Sequence, residues 1–443
     1  MGSLIGTLFA FALVFGILVF VHEFGHFFMG KLVGMRIEVF SWGYGKRLFG
    51  IKKGETDYRI SLIPMGGYVK FSGEEDYSKP DSSSPRDFMS KKRWERFLVL
   101  VMGSVMNILL AVFLMTVINM VGVDVPQYLN EAPVIGWIEP DSPSERAGLK
   151  PGDLILRIND KKTGTWNDVN LAVGTKPDRT INIEIKRDEE MLEVPLTTES
   201  KTRYQMGYAG FYGQILTQVE MVEPNSPAEE AGIKPGDVIL VINGEPVYFY
   251  KFVEIVQQNP GETLDFLIER DNKKITIQVT PERRGDIGRI GIMQAPRSET
   301  RKYNFFSAII ESVKWNAQLV TLVIDFIKNL FIGEASPSQL GGPIEIASFS
   351  YAAFRMGLLS LMSWIALISL QLGVINLFPI PVLDGGQILV LIIEGIFRKD
   401  FPPKVKQVIM QIGFAIFIFL IVFAILNDVV KRLPHGWESL IPW

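Results

Sequence analysis

The stretch LIGTLFAFALVFGILVFVHEFGH, residues 4–26, joins a long apolar run to a cluster of ionisable side chains. Residues 4–21 carry no charge, and a run of this length can cross about 30 Å of hydrocarbon as a helix. His22, Glu23 and His26 follow directly. Ionisable groups in membrane helices are costly and usually functional, so this cluster is the first candidate for an active site.

The composition limits the kinds of chemistry that the chain can perform. The protein has 443 residues, 48% of them hydrophobic, and a net charge of −3, which gives no indication of a nucleic-acid partner. It contains no cysteine, which excludes catalytic thiols, zinc–thiolate sites and disulfides. A cleaved signal peptide is the alternative for the first run, but no basic residue precedes Lys31, so we expect a retained helix.

Four segments have the length and composition of membrane spans: 4–29, 97–122, 357–378 and 408–426. A further apolar segment, 305–331, carries four charged side chains at helical spacing. This pattern favours an amphipathic helix that lies on the membrane surface or along the bundle.

Lysine and arginine predict the orientation. They are concentrated in 30–96 and in 396–407, and none precedes Lys31. The positive-inside rule therefore places both basic segments in the cytoplasm, and both termini and 123–300 outside. Within 30–96, alternating stretches such as GYVKF (67–71) predict short β-strands or hairpins near the membrane. Residues 76–85 are a polar linker.

The region 124–300 contains an internal repeat. SPSERAGLKPGDLILRIN (142–159) and SPAEEAGIKPGDVILVIN (226–243) are identical at 13 of 18 positions, which predicts two copies of one unit. The pattern resembles the PDZ domains of bacterial membrane-associated proteases. Such units bind extended peptides by strand addition, or here serve only as rigid bulk that limits access.

These features predict a polytopic α-helical membrane protein of four transmembrane helices, with a membrane-associated β-rich cytoplasmic segment and two extracytoplasmic PDZ-like α+β domains. We expect the following segments: transmembrane helix 1 (1–30), cytoplasmic β segment (31–96), transmembrane helix 2 (97–123), PDZ-like domains (124–208 and 209–300), amphipathic helices and connector (301–356), transmembrane helix 3 (357–386), cytoplasmic connection (387–407), transmembrane helix 4 (408–428) and tail (429–443).

His22 and His26 are four residues apart, so on a helix both imidazoles reach one Zn²⁺, with Glu23 beside it to activate water. The alternatives are histidines hydrogen-bonded within the bundle, or a proton relay without metal. Catalytic zinc commonly has three protein ligands. The remaining histidine, His435, falls in the part predicted to lie outside, so a carboxylate is needed.

NLFPIPVLDGG (376–386) supplies that carboxylate as Asp384, which follows an apolar run among helix-breaking residues. An ordinary Asp-Gly turn is the alternative. Asp384 and the histidines lie on the same side of the membrane only if 305–331 does not cross it. The basic charge of 396–407 requires the same topology.

The combination of HEFGH, GYVKF, the PDZ-like pair, LGGPIEIA (340–347) and NLFPIPVLDGG resembles the site-2 protease family of intramembrane metalloproteases, and within it the Gram-negative envelope-stress type. The resemblance implies that His22, His26 and Asp384 bind zinc and that Glu23 is catalytic. It further implies that Asn376, Pro379 and Pro381 contact substrate. Family members often have His where this chain has Gln387, a position that is not a required ligand.

The resemblance also implies a bacterial inner-membrane enzyme with its active site toward the cytoplasm and its PDZ-like domains in the periplasm. Its substrates would be single-pass membrane proteins already trimmed outside, such as an anti-sigma factor or a signal-peptide remnant, with the PDZ pair as a size filter. The competing hypotheses are a non-enzymatic membrane adaptor that binds peptides, and a protease that matures secreted peptides.

Overall fold

The computed structural model describes residues 2–73, 84–200, 206–333, 335 and 339–432. The tail from 433 onward, with His435, and most of the predicted linker at 76–85 lie outside these described residues.

The helices are α1 Gly2–Leu32, α2 Arg93–Val121, α3 Pro143–Arg146, α4 Trp166–Gly174, α5 Pro227–Glu230, α6 Phe249–Gln258, α7 Phe305–Phe331, α8 Pro343–Met356, α9 Leu358–Ile375, α10 Asp384–Phe397 and α11 Pro403–Val430. The strands are β1 Ile37–Lys53, β2 Thr56–Phe71, β3 Val123–Pro126, β4 Ile135–Ile138, β5 Leu154–Ile158, β6 Lys161–Lys162, β7 Thr180–Arg187, β8 Glu190–Thr197, β9 Glu199–Ser200, β10 Gly207–Tyr208, β11 Phe211–Gly213, β12 Thr217–Val222, β13 Val238–Ile242, β14 Glu245–Pro246, β15 Leu264–Arg270, β16 Lys273–Val279, β17 Glu282–Arg284, β18 Ile287–Arg289, β19 Ile292–Pro296 and β20 Ser298–Arg301.

The chain forms two units. The first, called here the helical unit, comprises the described residues of Met1–Val121, Lys302–Lys328 and Leu340–Trp443. The second, called the repeat unit, comprises those of Gly122–Arg301 and Asn329–Gln339.

Four helices of the helical unit are long and apolar enough to cross a membrane, counted over the described residues: Leu4–Leu32, Arg93–Val121, Leu358–Ile375 and Lys404–Val430. They correspond to the four predicted spans. Helix α7 is not among the helices that are long and apolar enough to cross a membrane. Its first half packs against α2 through buried polar groups, where Thr116 Oγ1 and Asn119 Nδ2 donate to Ser312 Oγ over 3.3 and 3.1 Å.

The β segment of the helical unit is longer and more folded than the predicted short hairpins. Phe40 of β1 is paired with both Val69 and Tyr58 of β2, and Ile51 is also paired with Tyr58. Both long strands therefore double back. They give four segments in the order 67–71, 37–42, 56–61, 47–53, with 67–71 at one edge. The two outer pairings are antiparallel, and the central pairing of 37–42 with 56–61 is parallel.

Glycines set the spacing of the helices around α2. A Cβ on Gly25 of α1 would lie 2.4 Å from the Met102 carbonyl oxygen, and one on Gly373 of α9 would lie 3.0 Å from the Ser104 carbonyl oxygen. A Cβ on Gly103 would lie 2.5 Å from His26 Nε2. The backbones of α1 and α9 can approach α2 this closely only because these side chains are absent.

The segment after α9 differs from the sequence expectation. We treated 357–386 as one membrane segment and 387–407 as a connection, but α9 ends at Ile375 and a new helix, α10, begins at Asp384. Helix α10 buries Ile388 and Leu391 in a cluster with Met35 and Ile37. Its apolar content went unrecognised because 14 residues are too few for a span.

The repeat unit contains two copies of one hydrogen-bonded arrangement. Asp153, buried, is held by Arg187 over 2.7 Å, and Arg187 also donates to the Gly148 carbonyl. Asp237 and Arg270 make the same ion pair at 2.6 Å, 84 residues along the chain. Each copy has its own apolar core. The duplication read from the sequence is thus present in the structure.

An aromatic cluster lies where the two copies meet. Trp137 stacks on Tyr250 with ring centroids 5.4 Å apart, and Tyr212 lies 3.9 Å from Tyr250. Tyr208 and Tyr212 both donate to the Glu139 carboxylate. Burial and this carboxylate raise the pKa of both phenols, so they remain hydrogen-bond donors at neutral pH.

The close contact of α1 with α2 predicts the effect of a single methyl group. Gly25→Ala should destabilise the protein by about 1–3 kcal/mol, because the new Cβ overlaps backbone that cannot move away cheaply. The thermal unfolding midpoint in detergent measures this effect.

Gly395→Ala is the matched control, since open space surrounds Gly395 in α10. It should be neutral or stabilising by up to about 1 kcal/mol. Equal midpoints for the two variants would contradict the close-packing account.

Candidate metal centre

His22 and His26 lie on one face of α1, one helical turn apart, and each is 8% exposed. Asp384 reaches them from the first turn of α10. His22 Nε2 lies 3.1 Å from His26 Nε2 and 3.1 Å from Asp384 Oδ2. The third distance, from His26 Nε2 to Asp384 Oδ2, is 3.5 Å. The structure therefore brings together the three side chains that the sequence proposed as ligands.

The three donor atoms fit a tetrahedral metal ion. Bonds of 2.0–2.1 Å from zinc to nitrogen and oxygen place neighbouring tetrahedral ligands about 3.3 Å apart. The observed distances of 3.1, 3.1 and 3.5 Å have this spacing. Two imidazoles and a carboxylate, with no sulfur, are a donor set that zinc accepts, and three protein ligands leave a fourth position open.

The hydrogen bond on the far side of His26 favours the same conclusion. His26 Nδ1 lies 2.8 Å from the Val99 carbonyl oxygen, which can only accept, so Nδ1 carries the proton. In the neutral ring Nε2 then presents a lone pair toward the other two donor atoms. A cation between them removes the repulsion of these lone pairs. The Val99 hydrogen bond fixes the tautomer and the ring orientation, as second-shell partners do at metal-bound histidines.

Asn107 of α2 is the corresponding partner of His22. Its side chain is fully buried and its Nδ2 lies 3.4 Å from His22 Nδ1, while Oδ1 has no hydrogen-bond donor among the described residues. Rotation of the Asn107 side-chain amide by 180° exchanges the positions of its oxygen and its nitrogen. In that orientation Asn107 accepts the His22 Nδ1–H, which directs Nε2 to the metal position.

Glu23 follows His22 on α1 and is held by the β segment. Its Oε2 accepts a 3.1 Å hydrogen bond from the Val69 amide, in the edge segment 67–71. A Cβ on Gly67, in the same segment, would lie 2.7 Å from the Ser41 carbonyl oxygen, so the close pairing of this edge with β1 requires glycine there. The carboxylate is thus fixed beside the histidines by backbone that belongs to another element.

The irregular segment between α9 and α10 delivers Asp384. Asn376 ends α9, its carbonyl accepts from the Gly385 amide over 2.7 Å, and its Nδ2 lies 3.4 Å from His22 Nε2. A Cβ on Gly385 would lie 2.2 Å from the Leu377 carbonyl, so the turn requires glycine there. Pro381 packs against Gly413 of α11, and Pro379 is exposed. Of the three predicted substrate residues, Asn376 contacts a candidate ligand directly.

Comparison with known proteins places this geometry in a family. The sequence model of peptidase family M50, the site-2 protease family, matches residues 10–420.

The chain belongs to peptidase family M50.

This M50 chain is a membrane metalloprotease, as its family and its relatives indicate. It is 31% identical to the regulator of sigma E protease of Haemophilus influenzae over 448 residues, which cover 97% of this chain and 100% of the relative. It is also 31% identical to the regulator of sigma-E protease RseP of Escherichia coli over 449 residues, 96% of this chain and 99% of the relative. The resemblance recognised in the sequence is confirmed.

Sequence reasoning missed Val99, Gly103 and Asn107 of this M50 chain, all on α2. Val99 acts through a backbone carbonyl and Gly103 through the space it leaves, and neither gives a sequence signal. Asn107 did give one, since it is a polar side chain in the middle of the apolar run VLVMGSVMNILLAV (98–111).

Asn107 provides a test of the ligand geometry. Asn107→Ala should weaken metal binding about 10–100-fold, because His22 loses the partner that fixes its ring. Competition with a chromophoric chelator measures the affinity.

Asn119→Ala is the control, since Asn119 is also a buried asparagine of α2 but contacts Ser312. It should retain wild-type metal affinity. Unchanged affinity in Asn107→Ala, or an equal loss in both variants, would contradict the positioning role.

Proposed function

We propose that the chain is an intramembrane zinc endopeptidase that cleaves a peptide bond within or near the transmembrane segment of single-pass membrane proteins. His22, His26 and Asp384 bind the zinc, and Glu23 is the general base. The observation that carries this proposal is the convergence of three donor atoms at 3.1–3.5 Å, contributed by helices from opposite ends of the sequence.

Bound zinc supplies an activated water and polarises the scissile carbonyl. Glu23 takes the proton of the attacking water and returns it to the leaving amine. The Val69 amide holds the Glu23 carboxylate and limits its rotation between these two tasks. Asn107 and the Val99 carbonyl keep both imidazoles oriented while charge develops at the site.

A transmembrane substrate must expose its backbone before it can be cleaved. Extended chain at membrane depth needs hydrogen-bond partners, since lipid offers none. Segment 67–71 is an edge of the doubled β sheet and contacts Glu23, so it can pair with an extended substrate beside the metal. Asn376, Pro379 and Pro381 would contact the same substrate from the opposite side.

The proposed orientation follows from charge. The basic segments 30–96 and 396–407 lie in the cytoplasm, which places the metal centre near the cytoplasmic boundary of the inner membrane and the repeat unit in the periplasm. Two relatives carry the name regulator of sigma E protease, which favours as substrate an anti-sigma factor whose periplasmic part has already been trimmed. A signal-peptide remnant has the same topology.

The repeat unit would act as a size filter built from two PDZ-like domains. Its entry and exit strands, β3 and β20, are paired, with Val123 opposite Arg301. The unit is therefore inserted between α2 and α7 through two adjacent strands and can be removed without stretching the chain.

Glu23→Gln tests the proposed mechanism. It should lower kcat for a model transmembrane substrate about 10²–10⁴-fold, since the amide cannot accept the proton. Cleavage is followed by gel mobility in proteoliposomes, with zinc content measured in parallel.

Zinc content should remain at the wild-type level, because Glu23 is not a ligand. Equal cleavage by both proteins would refute the role of Glu23. A wild-type protein that binds zinc but cleaves no transmembrane substrate would favour the adaptor hypothesis.

Removal of residues 124–300 tests the size filter. With a short Gly-Ser linker in their place, the protein should cleave substrates that still carry their folded outer domain, which the full chain leaves intact. Replacement of the same residues by an unrelated globular domain should restore the restriction.

Cleavage of a pre-trimmed substrate shows that the shortened protein is folded. If that protein cleaves trimmed substrates but still rejects untrimmed ones, the filter is not the repeat unit.

A further inference from the structure

A cavity of about 680 Å³ opens beside the metal centre, between the β segment, α2, α10 and α11. Val69, whose amide holds Glu23, lies on its wall, as do Pro381 and Gln387 on either side of Asp384. This volume falls in the range of about 300–1,000 Å³ that is typical of ligand sites. The cavity is therefore continuous with the residues that surround the candidate reaction site.

Three buried charged side chains line the other end of the cavity: Arg96, Glu394 and Lys406. Glu394 is fully buried and its Oε1 accepts from Lys406 Nζ over 2.7 Å and from the Phe401 amide over 2.8 Å. The negative charge of Glu394 is thus already balanced by Lys406.

Arg96 is different. It is 3% exposed, and among the described residues its Nε has no hydrogen-bond partner. Its guanidinium contacts only a thioether, Met89 Sδ, over 3.6 Å. The acidic residue Asp400 nearby is already paired with Arg93 over 2.6 Å. The carboxylates of Asp400 and Glu394 attract this guanidinium but neither accepts a hydrogen bond from it, so an anionic group that accepts from Nε would be favourable at this end of the cavity.

We propose that this cavity binds the substrate chain on one side of the scissile bond and that Arg96 binds a carboxylate of that chain. This inference rests on the proposed function. Glu394 Oε2, which also has no donor in the described part of the chain, can take a backbone N–H of the same bound segment. The enzyme accordingly prefers substrates with Asp or Glu at one defined position.

The length of α10 limits that position. Asp384 and Glu394 are ten residues apart, which is about 15 Å along a helix. An extended chain covers this distance in four or five residues at about 3.3 Å each. For an extended substrate the carboxylate therefore lies about four or five residues from the cleaved bond, on the side that faces the basic boundary at 91–96 and 398–406.

The test uses the full-length protein in vesicles and a model transmembrane substrate in which Asp or Asn is placed at each position from the second to the sixth on both sides of the cleaved bond. We expect one position at which Asp raises kcat/KM about tenfold over Asn, mainly through KM. Arg96→Gln should reduce this ratio to about one, and Arg96→Lys should restore part of it. Arg96→Glu should reverse the preference, so that Lys at that position is favoured.

Lys92→Gln is the matched control, because Lys92 is a cation that directly precedes α2, is exposed and is not on the cavity wall. It should keep the Asp/Asn ratio of the wild type. Zinc content of every variant reports whether the helical unit is folded.

Two results would overturn the inference. The first is a wild-type enzyme that cleaves every substrate without any charge preference, in which case the proposed protease function stands alone. The second is a kcat/KM ratio of Asp to Asn substrates near one, together with a change of cleavage rate in Arg96→Gln that is seen only in vesicles containing phosphatidylglycerol. That result would mean that Arg96 binds a lipid phosphate and not a substrate carboxylate. If the wild-type protein, in which Glu23 is intact, cleaves none of these substrates, that result would instead count against the proposed function.

Discussion

The contact between α1 and α2 at Gly25 and Gly103 is the constraint on which the metal centre depends. At Gly25 the backbones are so close that a single added carbon would lie 2.4 Å from a carbonyl oxygen. This approach brings the Val99 carbonyl within 2.8 Å of His26 and Asn107 within 3.4 Å of His22. Without it, the two imidazoles would have no fixed direction. Small residues at a helix contact thus act here through the orientation of ligands, in addition to packing.

The third proposed ligand, Asp384, depends on a different constraint, the break between α9 and α10. Backbone that leaves a helix at membrane depth must be buried in protein or line a cavity. Here Pro381 lines the cavity and packs on Gly413, and the Asn376 carbonyl accepts a hydrogen bond from the Gly385 amide. The break then directs a carboxylate from the first turn of α10 to histidines more than 350 residues earlier. The same cavity extends along α10 to Arg96 and Glu394.

The sequence predicted the parts of this arrangement that follow from period and charge. His22 and His26 share a face because a helix repeats every 3.6 residues, and the four apolar helices follow from length and hydropathy. Asp384 was found because two histidines leave a zinc site incomplete. The doubled β segment could not be predicted, because its register depends on pairing between residues far apart in the chain. Helix α10 was missed because its 14 residues are too few for a span, and Val99 was missed because its contribution is a backbone carbonyl.

The central claim is that α1 and α10 bind one zinc ion through His22, His26 and Asp384. Zinc K-edge X-ray absorption on the purified full-length protein tests it directly. The account predicts one zinc per chain with nitrogen and oxygen ligands at about 2.0–2.1 Å, the scattering of two imidazoles and no sulfur. Asp384→Ala should lower the zinc content, and the zinc that remains bound should keep both imidazoles and lose one oxygen ligand. A protein that binds no zinc, or whose zinc has fewer than two imidazole ligands, would contradict the account.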